Sequence, residues 1–110
     1  MDLQNNQEYI SKLLEASIKE LPKTGREYAE AFKNYRIALA KELIKLKDEG
    51  YAITLAGDIA RGKPEIAHLK FEEISKEAVY KANLEAINWY KLQLKINDNQ
   101  ISREWSNEKQ

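Results

Sequence analysis

Beyond Pro64 the chain contains neither glycine nor proline up to its last residue, Gln110. These two residue types are the strongest helix breakers, so a run of this length without them favours one long helix. Pro64 suits the first position of a helix, where its missing N–H is not needed, and Glu65 suits the positive end of the helix dipole. The sequence predicts a helix from Pro64 to about Trp105, with residues 106–110 as a disordered tail.

Two further helices are predicted in the first half of the chain. Apolar residues recur at three- and four-residue intervals over 5–21, and Pro22 should end this first helix, because the residue before a proline is pushed away from helical dihedral angles. The sequence from Thr24 to Glu27 matches a capping box, which starts a second helix over 25–49. Gly50 then supplies the left-handed residue that commonly terminates a helix.

A short helix is predicted between the two long ones, over residues 55–61. Thr54 is placed to cap its start and Gly62 to stop it. Ile53, Leu55 and other apolar residues of this segment would then close the end of the helix pair.

The composition favours long helices over a fold with many strands. Of the 110 residues 33% are charged, and there are only 4 glycines and 2 prolines for turns. We therefore predict a single all-α domain over 1–110. In it, helices 25–49 and 64–105 form an antiparallel hairpin, the shorter N-terminal helix supports them, and the short connector helix closes the end.

The last predicted helix carries two apolar stripes on different faces, more than one partner helix can cover. The first comprises Tyr80, Leu84, Ile87, Leu94, Ile101 and Trp105, and the second comprises Phe71, Ile74, Ala78, Ala82, Trp89, Leu92 and Ile96. We therefore predict a homo-oligomer, a dimeric helical bundle. Its predicted interface residues are Trp89, Leu92, Ile96, Ile101 and Trp105.

The charge balance argues against a dedicated nucleic-acid-binding protein. Lys plus Arg and Asp plus Glu each total 18, so neither the basic excess of a DNA-binding domain nor an acidic excess is present. The short helix and Pro64 do allow a helix-turn-helix arrangement. Its recognition helix would carry Lys63, His68 and Lys70 against three carboxylates, Glu65, Glu72 and Glu73. Association with nucleic acid is therefore the alternative function.

Residues able to support catalysis or metal binding are scarce. The chain has no cysteine and one histidine, His68, and it contains neither a Gly-x-Ser-x-Gly turn nor a glycine-rich phosphate loop. Glu65 and His68 have the Glu-x-x-His spacing of ferritin-like di-iron sites, although a glutamate at Glu65 is expected for the helix dipole alone. We predict no enzymatic activity and no cofactor. A ferritin-like metal-binding protein is the third hypothesis, with Glu65 and His68 as its candidate pair.

The connector is the predicted partner-binding surface. The end of a helix pair requires a residue that terminates the helix, a capping residue and apolar side chains that close the core. It does not require an exposed acid and an exposed base. The residues assigned to this surface are Tyr51, Thr54, Asp58, Arg61 and Lys63. The polar first ten residues lack the apolar region of a signal peptide, and no apolar run is long enough to span a membrane, which predicts a cytoplasmic protein with no membrane association.

Four segments resemble small helical proteins encoded by phages and prophages of Gram-positive bacteria. They are the Gly-Tyr-x-x-Thr-Leu-Ala turn at 50–56, Asp-Ile-Ala-Arg-Gly at 58–62, the run 77–86 and the ending Ile-Ser-Arg-Glu-Trp at 101–105. The resemblance spans about half of the chain and transfers no catalytic residue. It implies a short accessory protein in the cytoplasm of a bacterial host cell that binds a host or phage protein, for example to inhibit a nuclease or a defence system. The alternative of nucleic-acid association would then be a role in phage recombination or replication.

Overall fold

The computed structural model describes residues 2–109, which form three helices and no strand. The helices are α1 (Leu3–Asp48), α2 (Ile53–Gly62) and α3 (Pro64–Lys109), so the all-α class is confirmed. The described residues divide into two compact units. The terminal unit contains those up to Lys23 and from Lys81 onward, and the central unit is Thr24–Tyr80. Among these residues, no helix has a stretch long and apolar enough to cross a membrane.

The predicted helix break at Pro22 is wrong, because α1 runs through this residue without interruption. The predicted helices 5–21 and 25–49 are thus two parts of one helix, and there is no separate N-terminal helix. An interior proline costs about 3 kcal/mol relative to alanine. Packing on both sides offsets this cost: Leu21 is half-buried, Thr24 is buried inside the helix instead of capping it, and Pro22 itself is exposed.

Both ends of α1 are closed by local hydrogen bonds. Asp2 Oδ1 accepts the backbone N–H of Asn5 at 2.8 Å, which is the bond made by an N-cap residue. At the other end Gly50 has a φ of 96°, its N–H donates to the Lys47 carbonyl, and the N–H of Tyr51 donates to the Leu46 carbonyl. This pair of bonds is the Schellman arrangement, so the predicted stop at Gly50 is confirmed.

The ends of α2 and α3 agree only in part with the sequence patterns. α2 begins at Ile53, where the Ala52 carbonyl accepts the N–H of Ala56 at 2.8 Å, so Thr54 lies inside the first turn and is not the cap. Pro64 is the first residue of α3, as predicted. α3 also extends through residues 106–109, where a disordered tail was predicted, while Gln110 lies outside the described residues.

In the terminal unit, the first part of α1 packs antiparallel to the last part of α3. Ile10 and Ile87 are buried between them. Polar contacts also join the helices: Asn83 Nδ2 donates to the Ser17 carbonyl at 2.9 Å, and Gln7 Nε2 donates to Asp98 Oδ1 at 2.6 Å.

The core of the central unit takes residues from all three helices. Its buried members are Tyr35, Leu39, Leu46, Ala56, Ala60 and Ile66. Ala56 and Ala60 are 2% and 0% exposed, and their small side chains bring the α2 backbone close to α1 and α3. The chain therefore turns back at Gly50 and packs α2 onto the end of the long helix pair.

Gly25 marks a close approach of α1 and α3 within the central unit. A β-carbon at this position would lie 3.3 Å from Cε1 of Tyr80, closer than most such contacts. The Tyr80 ring also packs against Tyr28, with centroids 5.9 Å apart. The hydroxyl of Tyr28 donates a hydrogen bond to Glu77, which raises the pKa of Tyr28 above its ordinary 10.0. A glycine in the interior of a helix is thus explained by packing and not by a helix start.

Candidate partner-binding site

A groove lies along α2 where this helix packs on the end of α1. It consists of two adjoining pockets of about 220 and 450 Å³ that share Leu43 and Ile53. The smaller is also lined by Ile44, Lys47 and Ala56, and the larger by Thr54, Gly57, Asp58 and Arg61. We call this surface, with all of these residues, the α2 groove.

Large apolar side chains at and beside the α2 groove are exposed to water. Ile53 is 74% exposed, Ile44 63% and Leu55 50%. Burial of apolar surface is worth about 25 cal/mol per Å², and a cluster of exposed apolar side chains rimmed by polar groups is typical of an interaction site. The α2 groove therefore has the chemical character of a binding surface.

The structure brings together three of the five residues predicted for partner binding. Thr54, Asp58 and Arg61 all line the larger pocket. Arg61 lies over Gly57, since a β-carbon on this glycine would be 2.8 Å from Arg61 Nη1. Asp58 and Arg61 are exposed and, with Lys47, place one acid and two bases around the apolar side chains of this surface.

The other two predicted residues lie apart from the groove. Tyr51 is exposed in the turn between α1 and α2 but lines neither pocket. Lys63 forms an ion pair with Glu42 of α1, and both side chains are largely shielded, at 29% and 17% exposure. Lys63 therefore fastens the start of α3 to α1, a structural role.

The side of the groove formed by α1 was missing from the predicted site. It consists of Leu43, Ile44 and Lys47. The sequence signal for it is that Leu43 and Ile44 are adjacent, about 100° apart around α1, and so widen its apolar stripe.

The Glu42–Lys63 ion pair changes the pKa of both groups. The hydrogen bond from Lys63 lowers the pKa of Glu42 below its ordinary 4.5. The same bond raises the pKa of Lys63 above its ordinary 10.5. The carboxylate stabilises the folded state above the pKa it has in the unfolded chain, and that contribution is lost as the pH falls through the folded-state pKa. The ammonium contribution is present below its unfolded-state pKa and is lost as the pH rises through the higher folded-state pKa.

Glu42→Gln is therefore expected to destabilise the protein at pH 7 and to have progressively less effect as the pH falls through the folded-state pKa of Glu42. The reason is that the wild-type carboxylate is itself protonated in acid. Thermal unfolding followed by circular dichroism from pH 2 to pH 7 should show a difference of a few degrees in Tm that shrinks as the pH falls. Glu20→Gln, at an exposed position on α1, serves as the control. A difference that stays constant over this range would contradict a stabilising ion pair.

The residues predicted for an oligomer interface do not all lie on one face of α3. Trp89, Leu92 and Ile96 are 58%, 48% and 46% exposed and lie along one face of α3 in the terminal unit. Ile101 lines a small pocket with the start of α1 and with Glu104, so it lies on the side of α3 that faces α1. Trp105 is exposed near the end of α3.

Glu65 and His68, the candidate metal pair, do not form a metal site with other side chains in the described part of the chain. His68 Nε2 lies 4.0 Å from Oε1 of Glu72, and the imidazole stacks on Phe71. Glu65 is exposed at the start of α3. Within residues 2–109, no group of three or more histidine, aspartate or glutamate side chains is arranged to hold a metal ion.

The cations of the alternative nucleic-acid site interact with groups of the chain itself. Lys70 Nζ lies 3.0 Å from a carboxylate oxygen of Glu73 and 4.8 Å from the centre of the Tyr35 ring. Lys63 is paired with Glu42. Phosphate binding at this site would have to compete with these carboxylates.

Comparisons with known proteins give no relative from which to assign a function. No protein-family model matches the chain, and no curated protein or solved structure is significantly similar to it. The chemistry of the surface is therefore the basis for a functional proposal.

Proposed function

We propose that this chain is a non-enzymatic accessory protein that acts by binding another protein through the α2 groove. The observation that carries the proposal is the exposure of Ile44 and Ile53 on either side of this groove, with Asp58 and Arg61 on its rim. Binding is favoured when a partner covers these exposed apolar side chains, because apolar surface is then removed from water. The two charges select a partner that offers opposite charges in the right places.

The shape of the groove suits an amphipathic helix of the partner. Its apolar floor lies between two helices, and its charged groups are Lys47, Asp58 and Arg61. Helices that dock in such grooves insert apolar residues at i, i+3 or i+4, and i+7. The partner is thus expected to carry this pattern, with acidic residues opposite Lys47 and Arg61 and a basic residue opposite Asp58.

The resemblance to phage and prophage proteins suggests which partner class to test. Two of the segments that carry it, 50–56 and 58–62, include the turn and most of the helix that form the α2 groove. We propose a role in the cytoplasm of a bacterial host cell, through binding of a host protein such as a nuclease or another component of a defence system.

The double variant Asp58→Ala, Arg61→Ala is expected to weaken binding of the partner about tenfold, with little change in stability. Both side chains are exposed, so the core loses no packing, whereas two charged contacts with the partner are lost. The partner would be captured from a Gram-positive host lysate and purified. Affinities of the wild type and the variant would then be compared by isothermal titration calorimetry.

Ile53→Glu should abolish binding, because it places a charge on one of the two exposed apolar sides of the groove. Ile18→Glu is the matched control, since Ile18 is also exposed but lies on α1 in the terminal unit. Binding that is unaltered in the double variant and in Ile53→Glu would refute this site. Loss of binding on substitution of Trp89 would instead place the site on α3.

A further inference from the structure

The outward face of α3 in the terminal unit carries a heptad pattern. The pattern consists of six residues at alternating spacings of four and three, namely Glu85, Trp89, Leu92, Ile96, Asn99 and Arg103. This spacing is that of the a and d positions of a coiled coil, with Trp89, Ile96 and Arg103 at a and the other three at d. We call these six residues the outer seam.

The outer seam points away from α1. At about 100° per residue, Leu92 and Ile96 lie roughly opposite the face of α3 that buries Ile87 against α1. All six residues of the outer seam are exposed. One helix therefore presents two packing faces, and α1 covers only one of them.

The order of side chains along the outer seam identifies the partner that it fits. An acid, Glu85, lies at its beginning, apolar residues lie in the middle, and a base, Arg103, lies at its end. A second copy packed antiparallel would place Glu85 opposite the copy's Arg103 at one end, and Arg103 opposite the copy's Glu85 at the other. A parallel copy would place like charges opposite each other at both ends.

The antiparallel alignment also matches the apolar layers. In that alignment Leu92 lies opposite the copy's Ile96, and Trp89 lies opposite the copy's Asn99. Each layer combines an a position with a d position, as antiparallel coiled coils require. Lys95 flanks the middle of the seam, where the flexible ammonium groups of the two copies can extend into water.

From this charge complementarity we propose that the outer seam of α3 is a self-association surface on which a second copy of this chain packs antiparallel. The seam is about 27 Å long at 1.5 Å per residue, which makes the contact smaller than a standard protein interface. Its dissociation constant is accordingly expected on the order of 10–100 µM. This surface is separate from the α2 groove, and either proposal can fail without the other.

Charge reversal tests both the surface and the orientation. Glu85→Arg or Arg103→Glu alone turns both end contacts repulsive, so each should weaken the dimer at least tenfold in a concentration series of analytical ultracentrifugation. The double variant Glu85→Arg, Arg103→Glu restores opposite charges and should return to within threefold of the wild type. An equimolar mixture of the two single variants should form heterodimers as strong as the wild-type dimer.

Leu92→Glu should abolish association, and Ile18→Glu, on α1 in the same unit, should leave it unchanged. Circular dichroism checks the fold, which is expected to survive because these positions are exposed. A wild-type protein that stays monomeric up to about 1 mM would overturn the proposal, since the affinity expected for so short a seam would then be absent. Single charge reversals that leave the dimer unchanged would overturn it as well, because a parallel pair or another face would then be responsible.

Discussion

Replacing Leu46 by alanine is expected to lower the free energy of unfolding by about 3 kcal/mol. Leu46 is 3% exposed in a core that includes Ala56 and Ala60 of α2 and Ile66 of α3. The substitution removes the transfer free energy of the lost methyl and methylene groups and leaves a cavity. The two alanines cannot fill that cavity, because their side chains end at the β-carbon and the α2 backbone already lies close.

The measurement is urea unfolding followed by circular dichroism at 222 nm, with wild type and variant analysed together. Ile44→Ala is the matched control, because Ile44 lies in the same part of α1 but is 63% exposed. It should change stability by less than about 0.5 kcal/mol. Equal losses in the two variants would mean that α2 does not pack on Leu46. Leu46 would then lie outside the core of the central unit.

The helix signals that the sequence revealed are those set by local backbone geometry. Gly50 ends α1 because a left-handed residue closes two hydrogen bonds to the preceding turn, and no distant contact is needed. Pro64 begins α3 because a missing N–H is harmless in a first turn. Rules of this kind act within a few residues, so one sequence suffices to apply them.

Local sequence patterns do not predict the helix boundaries where packing overrides a local preference. Thr24 to Glu27 has the form of a capping box, yet Thr24 is buried inside α1. Asn97, Asp98 and Asn99 are poor helix formers, yet Asn97 is buried within α3 and Asp98 accepts a hydrogen bond from Gln7. At Asp98 this neighbour is far away in the sequence, and the local pattern gives no sign of it.

The candidate site was predictable to the extent that it lies on one short helix. Asp58 and Arg61 share a face because three residues of helix bring side chains together, and the structure places both in one pocket. The half of the groove on α1 depends on how α2 folds back over Leu43, a long-range contact. The sequence pattern assigns Lys63 to the binding surface because it cannot reveal the ion-pair partner of this lysine. That partner, Glu42, lies on another helix.

Pro22→Ala is expected to raise the free energy of unfolding by about 2 kcal/mol. Alanine restores the N–H donor that the carbonyl of Ile18 lacks and removes the clash of the proline ring, a gain of about 3 kcal/mol in a helix interior. Part of this gain, about 1 kcal/mol, is offset because proline also restricts the unfolded chain. Pro64→Ala is the control: at the first position of α3 no such bond is missing, so the gain should be absent.

Amide hydrogen exchange then separates a continuous α1 from two abutting helices. In a continuous helix the N–H of Arg26 donates to the carbonyl of Pro22 and exchanges slowly, whereas in a helix that starts at Gly25 it is one of the unpaired first amides. Slow exchange at Arg26 together with a stability gain in Pro22→Ala would establish that packing carries the helix through the proline. Fast exchange with no gain would restore the break that the local sequence predicts.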